Sequence, residues 1–336
     1  MNCGCGIEEK SCKIRRKVER MERKVYIRTI LEWREKLYNS YVQYDIYIKM
    51  FLRFIMSAII FIVVGSKLNY YEKLSNPLLI LGLALVGTFV PDALLVFMVV
   101  VVTLLELYFL SPIIAGICAL CFLFLYLMLA RFDQKTTLAL IFVPIFILWK
   151  IPISLVVVIA LFFGASSVLT IVAGTCFYYI LDAAKNIDIN VGETTNDVFA
   201  LIHMFMDAII KNKNMYVMLM TLVAVFFITY FVRRLKMDFS FEMGVIAGGI
   251  CGFILLLLGN VMLDSKFSIL WVVLGSVVSC IIGLLVHFMH MVLDYGQKEK
   301  VQFEDDEYYY YVTAVPKMKM TVSNKKVKNI YTKKKR

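Results

Sequence analysis

The sequence predicts an all-α polytopic membrane protein, and three observations predict it. Long apolar runs fill 56–64, 77–130 and 138–180. Only 18% of the 336 residues are charged and mean hydropathy is +0.78, where soluble domains carry nearer a quarter charged residues. Lys and Arg gather in the gaps between apolar runs: at 10–53, at Arg131 and Lys135, at Arg233, Arg234 and Lys236, and over 298–336.

A hydrocarbon core of about 30 Å needs about 20 helical residues. The first span falls at 51–68. The next block is too long for one helix and breaks at Pro91-Asp92 and Ser111-Pro112, which leaves 78–90, 93–110 and 113–130. The block after Lys135 breaks at Lys150–Pro152 and at 164–167, which leaves 138–149, 153–163 and 168–181. Three cleaner spans follow at 215–232, 243–263 and 267–293. These are about ten apolar segments, several of them broken or short enough to re-enter rather than cross, so the expected number of crossings is six to ten. No cleavable leader is expected, because the first forty residues are charged and lack an apolar core followed by small residues.

The basic gaps place both termini in the cytoplasm of a cell-membrane protein. The domains expected are a basic amphipathic helix over 1–48, a membrane region over 49–183 and an outer loop with an amphipathic helix over 184–213. A three-span membrane region over 214–294 and a cytoplasmic tail over 295–336 complete the chain. The two broken blocks share a pattern: a short piece, a proline break and a final helix carrying Ala-Gly-x-Cys, at 115–118 and 173–176. One block starts outside and the other inside, as in an inverted repeat, and interrupted segments at matching places point to a transport site.

Three polar residues stand out in the oil. Glu106 lies inside "VVVVTLLELYFL", where a carboxylate must be paired, neutral or facing a cavity. Asp92 and Lys150 mark the two breaks, and a pairing between them across the repeat is one expectation; interfacial turns are the other. His287, His290 and Asp294 follow one another by a helical turn and read as interfacial polar residues rather than metal ligands. Cys3, Cys5 and Cys12 offer two readings, a soft-metal or redox set and free thiols at a frayed end; the lack of a nearby histidine and of a second CxxC favours free thiols. The other five cysteines sit in apolar segments as small hydrophobes. No metal or cofactor is expected. No motif of a hydrolase, metalloprotease or phosphate-binding loop occurs, so the protein is not expected to be an enzyme.

The basic helix suits an anionic inner leaflet as its lipid partner, and no folded reader of nucleic acid is present. The tail carries the densest pattern. Val301 and Phe303, then Tyr309, Tyr311 and Thr313, alternate with the period of a strand, and Glu304, Asp305, Asp306 and Glu307 lie between. A hairpin turned at these acids is expected, with a disordered basic end. Phe303, Glu304, Asp305, Asp306, Glu307, Tyr308, Tyr309, Tyr310 and Tyr311 are the residues expected to dock on a protein partner or a second copy, since an isolated hairpin is marginal in water.

The tail "VQFEDDEYYYYVTAVPKMKM", after a span ending "LDYG", resembles that of an uncharacterised family of multi-pass membrane proteins from Gram-positive anaerobes. The resemblance implies a source and no catalytic residue. The function the sequence favours is a membrane-embedded assembly or anchoring subunit of an envelope, secretion or transport complex. A secondary transporter or channel with its site at the broken helices is the alternative, and an intramembrane enzyme the second.

Overall fold

The computed structural model describes residues 43–68, 76–132, 137–191, 198–237, 239–263, 267–290, 299–304 and 309–314, with single positions at 33, 36, 40 and 71. The helix expected over 1–48, apart from its last turn, lies outside these residues. So do the N-terminal cysteines, Asp294, residues 305–308 and the basic end. The chain forms two units, one holding Ile46–His290 and the other the two strands of the tail.

The larger unit is an all-helical bundle: α1 (Asp45–Leu68), α2 (Pro77–Phe89), α3 (Asp92–Leu110), α4 (Pro112–Phe132), α5 (Ala139–Leu148), α6 (Pro152–Phe162), a 3-10 turn (Ala165–Ser167), α7 (Val168–Val191), α8 (Val198–Ile210), α9 (Lys213–Val232), α10 (Ser240–Leu263) and α11 (Ile269–His290). Six helical segments among the described residues are long and apolar enough to cross a membrane: α1, α3, the turn with α7, α9, α10 and α11. They expose large apolar side chains, as at Phe97, Leu105, Ile250 and Ile281, which marks an integral membrane protein.

Contacts fix two ends of the bundle. At the first, Arg53 of α1 pairs with Asp92 at the start of α3 (2.5 Å), and Arg233 after α9 meets the end of α6. At the second, Lys185 of α7 donates to the Lys67 carbonyl at the end of α1 (3.3 Å), and Tyr179 donates to the Asn214 carbonyl at the start of α9 (3.1 Å). Helices α1, α2, α3 and α4 therefore alternate in direction between the ends, as do α7, α9, α10 and α11.

Helices α5 and α6 are different. They have 10 and 11 residues, about 15 Å each at 1.5 Å per residue, half a hydrocarbon core. Leu140 and Val143 of α5 lie against Gly174, early in α7, so α5 starts at the first end. The end of α6 returns there, to Arg233. The pair is a hairpin that enters from the first end and turns inside the bundle.

Lipid tails are as apolar as Leu, so burial alone cannot seat this hairpin; close packing must. Helix α6 buries Ile153, Val156, Val157, Ala160 and Leu161 among α9, α10 and α11. It fits because its neighbours carry glycines where it passes. A Cβ on Gly252 would lie 2.7 Å from Ile153 and 3.1 Å from Val225, and one on Gly283 would lie 3.1 Å from Val157. Two further cores join α3, α4, α7 and α8 around Phe122, Phe177 and Phe205, and α1, α3, α5 and α7 around Phe61, Val96 and Ile141.

The two broken blocks part company in structure. Pro91 holds Val90 extended (ψ 142°), and α3 then runs 19 residues, long enough to cross. Its counterpart α6 stops at 11 residues. The expected pairing of Asp92 with Lys150 does not form: Asp92 belongs to Arg53, and Lys150 lies over Trp271. The cause is depth, because the first break turns at an end of the bundle and the second inside it.

In the smaller unit, β1 (Glu299–Glu304) pairs antiparallel with β2 (Tyr309–Ala314). Phe303 stands opposite Tyr310 and Val301 opposite Val312, whereas Tyr309, Tyr311 and Thr313 stand opposite Glu304, Gln302 and Lys300. The two alternating runs of the sequence are thus out of step across the pair.

Candidate functional site at the broken helix

The turn between α5 and α6 ends a helix in an unusual way. The Lys150 amide donates to the Ile147 carbonyl and the Ile151 amide to the Phe146 carbonyl, both at 3.0 Å. This is the paired bonding of a Schellman stop, whose left-handed position is usually glycine. Here it is Lys150, with φ 61°. A side chain in that region costs about 1 kcal/mol or more, and strain of this kind clusters at functional sites. Pro152 then opens α6, where its missing amide and fixed φ do no harm.

The strained lysine projects into a cavity of about 290 Å³. Its ammonium lies 4.7 Å from the centre of the Trp271 ring, a cation–π contact. Asp182 and Tyr178 line it from α7, Gly275 from α11 and Asn214 from the start of α9. Its rim lies at the second end, where the Asn260 side chain clamps the connection before α11, donating to the Phe267 carbonyl (2.7 Å) and accepting from its amide (3.1 Å). Gly275 is needed for closure, since a Cβ there would lie 2.7 Å from the Lys150 carbonyl oxygen.

The charges in this cavity are not spent on each other. Lys150 sits on Trp271. Asp182 accepts a long bond from Asn186 (3.5 Å) and feels the charge of Lys185, a turn further on, which itself donates to the Lys67 carbonyl. Charged side chains at membrane depth that face a cavity mark solute pathways.

Of the three polar residues singled out in the sequence, Lys150 alone lines this cavity. Glu106 is fully buried and accepts from the Tyr71 amide (3.1 Å), tying the α1–α2 connection to α3, where Tyr71 also stacks on Phe109 at 4.0 Å. Asp92 shares an exposed ion pair with Arg53, a contact that contributes at most about 1 kcal/mol. His287 lies 3.2 Å from Glu242 and stacks on Phe241; the His290 side chain lies outside the described residues. Among the described residues no three His, Cys, Asp or Glu side chains converge on a point. In the tail, Tyr309, Tyr310 and Val312 are exposed.

Sequence reasoning missed Asp182, Tyr178, Asn214 and Trp271. A signal existed for two of them: "FYYILD" puts two phenols and an acid within one and a half turns of an apolar helix. Nothing local marks Trp271. Compared with family models, curated proteins and solved structures, the chain matches none.

Proposed function

We propose that this protein handles a solute in the membrane, as a secondary transporter or channel, and that the cavity at the α5–α6 turn is its site. The observation that carries this reading is the short hairpin itself, which presents a strained, exposed Lys150 to the cavity between α7, α9 and α11. A subunit that only anchors others has no use for a lysine in a left-handed turn under a tryptophan. Irregular backbone at membrane depth occurs where it is buried in protein or lines a polar cavity.

The same reading assigns eight crossings, by α1, α2, α3, α4, α7, α9, α10 and α11, with both termini in the cytoplasm of a cell-membrane protein. It is supported by Arg53, Arg233, Arg234 and Lys236, which among the described residues fall at the first end of the bundle, and by the basic runs of the sequence at both termini. The cavity rim then faces outward. The test is a cysteine at Ser268, introduced in a background without the native cysteines. An impermeant maleimide should label Ser268→Cys in whole cells. A site that stays sealed from the outside, while one at Lys213 is labelled, overturns the reading.

A second reading, a subunit of a larger complex, rests on the tail. A two-stranded sheet on its own is marginal in water, and this one exposes Tyr309, Tyr310 and Val312, an aromatic surface of the kind found in interfaces. Deletion after Gly296 should reduce membrane level, oligomer size or co-purifying partners. If all three hold, the tail docks on nothing.

A further inference from the structure

We propose that the cavity takes a small zwitterion with the size and charge pattern of a free α-amino acid. This rests on the reading of the hairpin cavity as a solute site and deepens it. The volume of about 290 Å³ corresponds to roughly ten waters at about 30 Å³ each. That room suits a molecule of amino-acid size.

The charge pattern narrows the class. One wall offers the Lys150 ammonium, with the positive start of α6 beside it. Another offers the Asp182 carboxylate. The two form no ion pair with each other, since Lys150 lies over Trp271 and Asp182 turns to Asn186 and toward Lys185, which does not line the cavity. A neutral solute would use neither charge. A simple anion would leave Asp182 facing a like charge, and a simple cation would do the same to Lys150. A molecule with a carboxylate and an ammonium matches both. Tyr178 and Trp271 line the same cavity and supply aromatic surface against which an ammonium or an apolar side chain packs.

The experiment uses the full chain in lipid nanodiscs with Trp33→Phe and Trp149→Phe, so that Trp271 is the reporter. The twenty standard amino acids are titrated. For each binder, the amide that lacks the carboxylate and the deaminated acid that lacks the ammonium are titrated as well. At least one amino acid should shift Trp271 emission saturably, with both analogues weaker by about tenfold or more. Asp182→Asn should shrink the gap between amino acid and deaminated acid, and Lys150→Met the gap between amino acid and amide. The analogue series on the unaltered site keeps the test decisive if either variant fails to fold. If no amino acid moves the emission, or either analogue binds as tightly, the zwitterion assignment is wrong. Labelling of Ser268→Cys separates the two ideas: an accessible site without zwitterion preference leaves the solute reading standing, and a sealed site removes both.

Discussion

The Lys150 ammonium lies 4.7 Å over the Trp271 ring, while the Lys150 backbone holds a left-handed conformation at φ 61°. Residue type and backbone therefore pull in opposite directions at one position. Glycine would relieve the backbone by about 1 kcal/mol and would empty the cavity of its cation. Lys150→Gly should accordingly unfold at higher temperature in detergent than the parent and lose solute binding. A loss of stability instead would mean that the contact with Trp271 holds the hairpin, and that the lysine is structural.

Gly275 is the second point where the hairpin depends on one atom. A Cβ would sit 2.7 Å from the Lys150 carbonyl oxygen, and that oxygen belongs to backbone, which cannot swing aside. Gly275→Ala should cost about 1–3 kcal/mol, the usual range for overpacking, seen as a lower unfolding midpoint. Gly82→Ala is the control, because nothing lies within 4 Å of a Cβ there. Equal midpoints for the two variants would show that the hairpin tip does not touch α11.

The apolar segments, their breaks and the helical class are legible in the sequence because membrane helices announce themselves by length and composition. The depth of a break is not. Pro91-Asp92 and Lys150–Pro152 read alike, each a proline beside a charge, yet one turns at an end of the bundle beside Arg53 and the other inside it. What separates them is the surface they meet. Gly252, Gly275 and Gly283 make room for α6 on helices more than ninety residues later in the chain, a relation that no local window contains. Lys150 was visible for its charge and Asp182 as an acid beside two phenols in an apolar helix; Trp271 became a site residue only through the folding of α11 against the hairpin.

Orientation can be read at two exposed positions that bracket α9. Lys213 opens that helix at the second end and Met237 follows it at the first. In a background without native cysteines, Lys213→Cys should react with an impermeant maleimide in whole cells. Met237→Cys should react only after permeabilisation. The reverse pattern would invert the assigned topology and turn the cavity rim toward the cytoplasm.

Arg233 tests whether the hairpin is held as a unit. Its guanidinium donates to the Leu161 carbonyl and to the Phe163 carbonyl, the latter at 2.7 Å. These are among the last carbonyls of α6, which no intrahelical amide can reach. Burial pushes the Arg233 pKa down, but from a value so high that the group stays charged. The neighbouring Arg234 makes a similar contact with Tyr230, at 4.5 Å against 4.9 Å, so the two differ chiefly in the α6 carbonyls. Removing a charged donor from a partly buried acceptor costs about 2 kcal/mol or more. Arg233→Met should therefore lower the unfolding midpoint and open the 163–167 turn to protease, while Arg234→Met should do neither. Arg233→Lys should rescue only in part, because a single ammonium lacks the planar fork that meets two carbonyls at once. If Arg233→Met and Arg234→Met behave alike, both arginines serve only to orient the chain in the membrane, and the end of α6 is secured by packing alone.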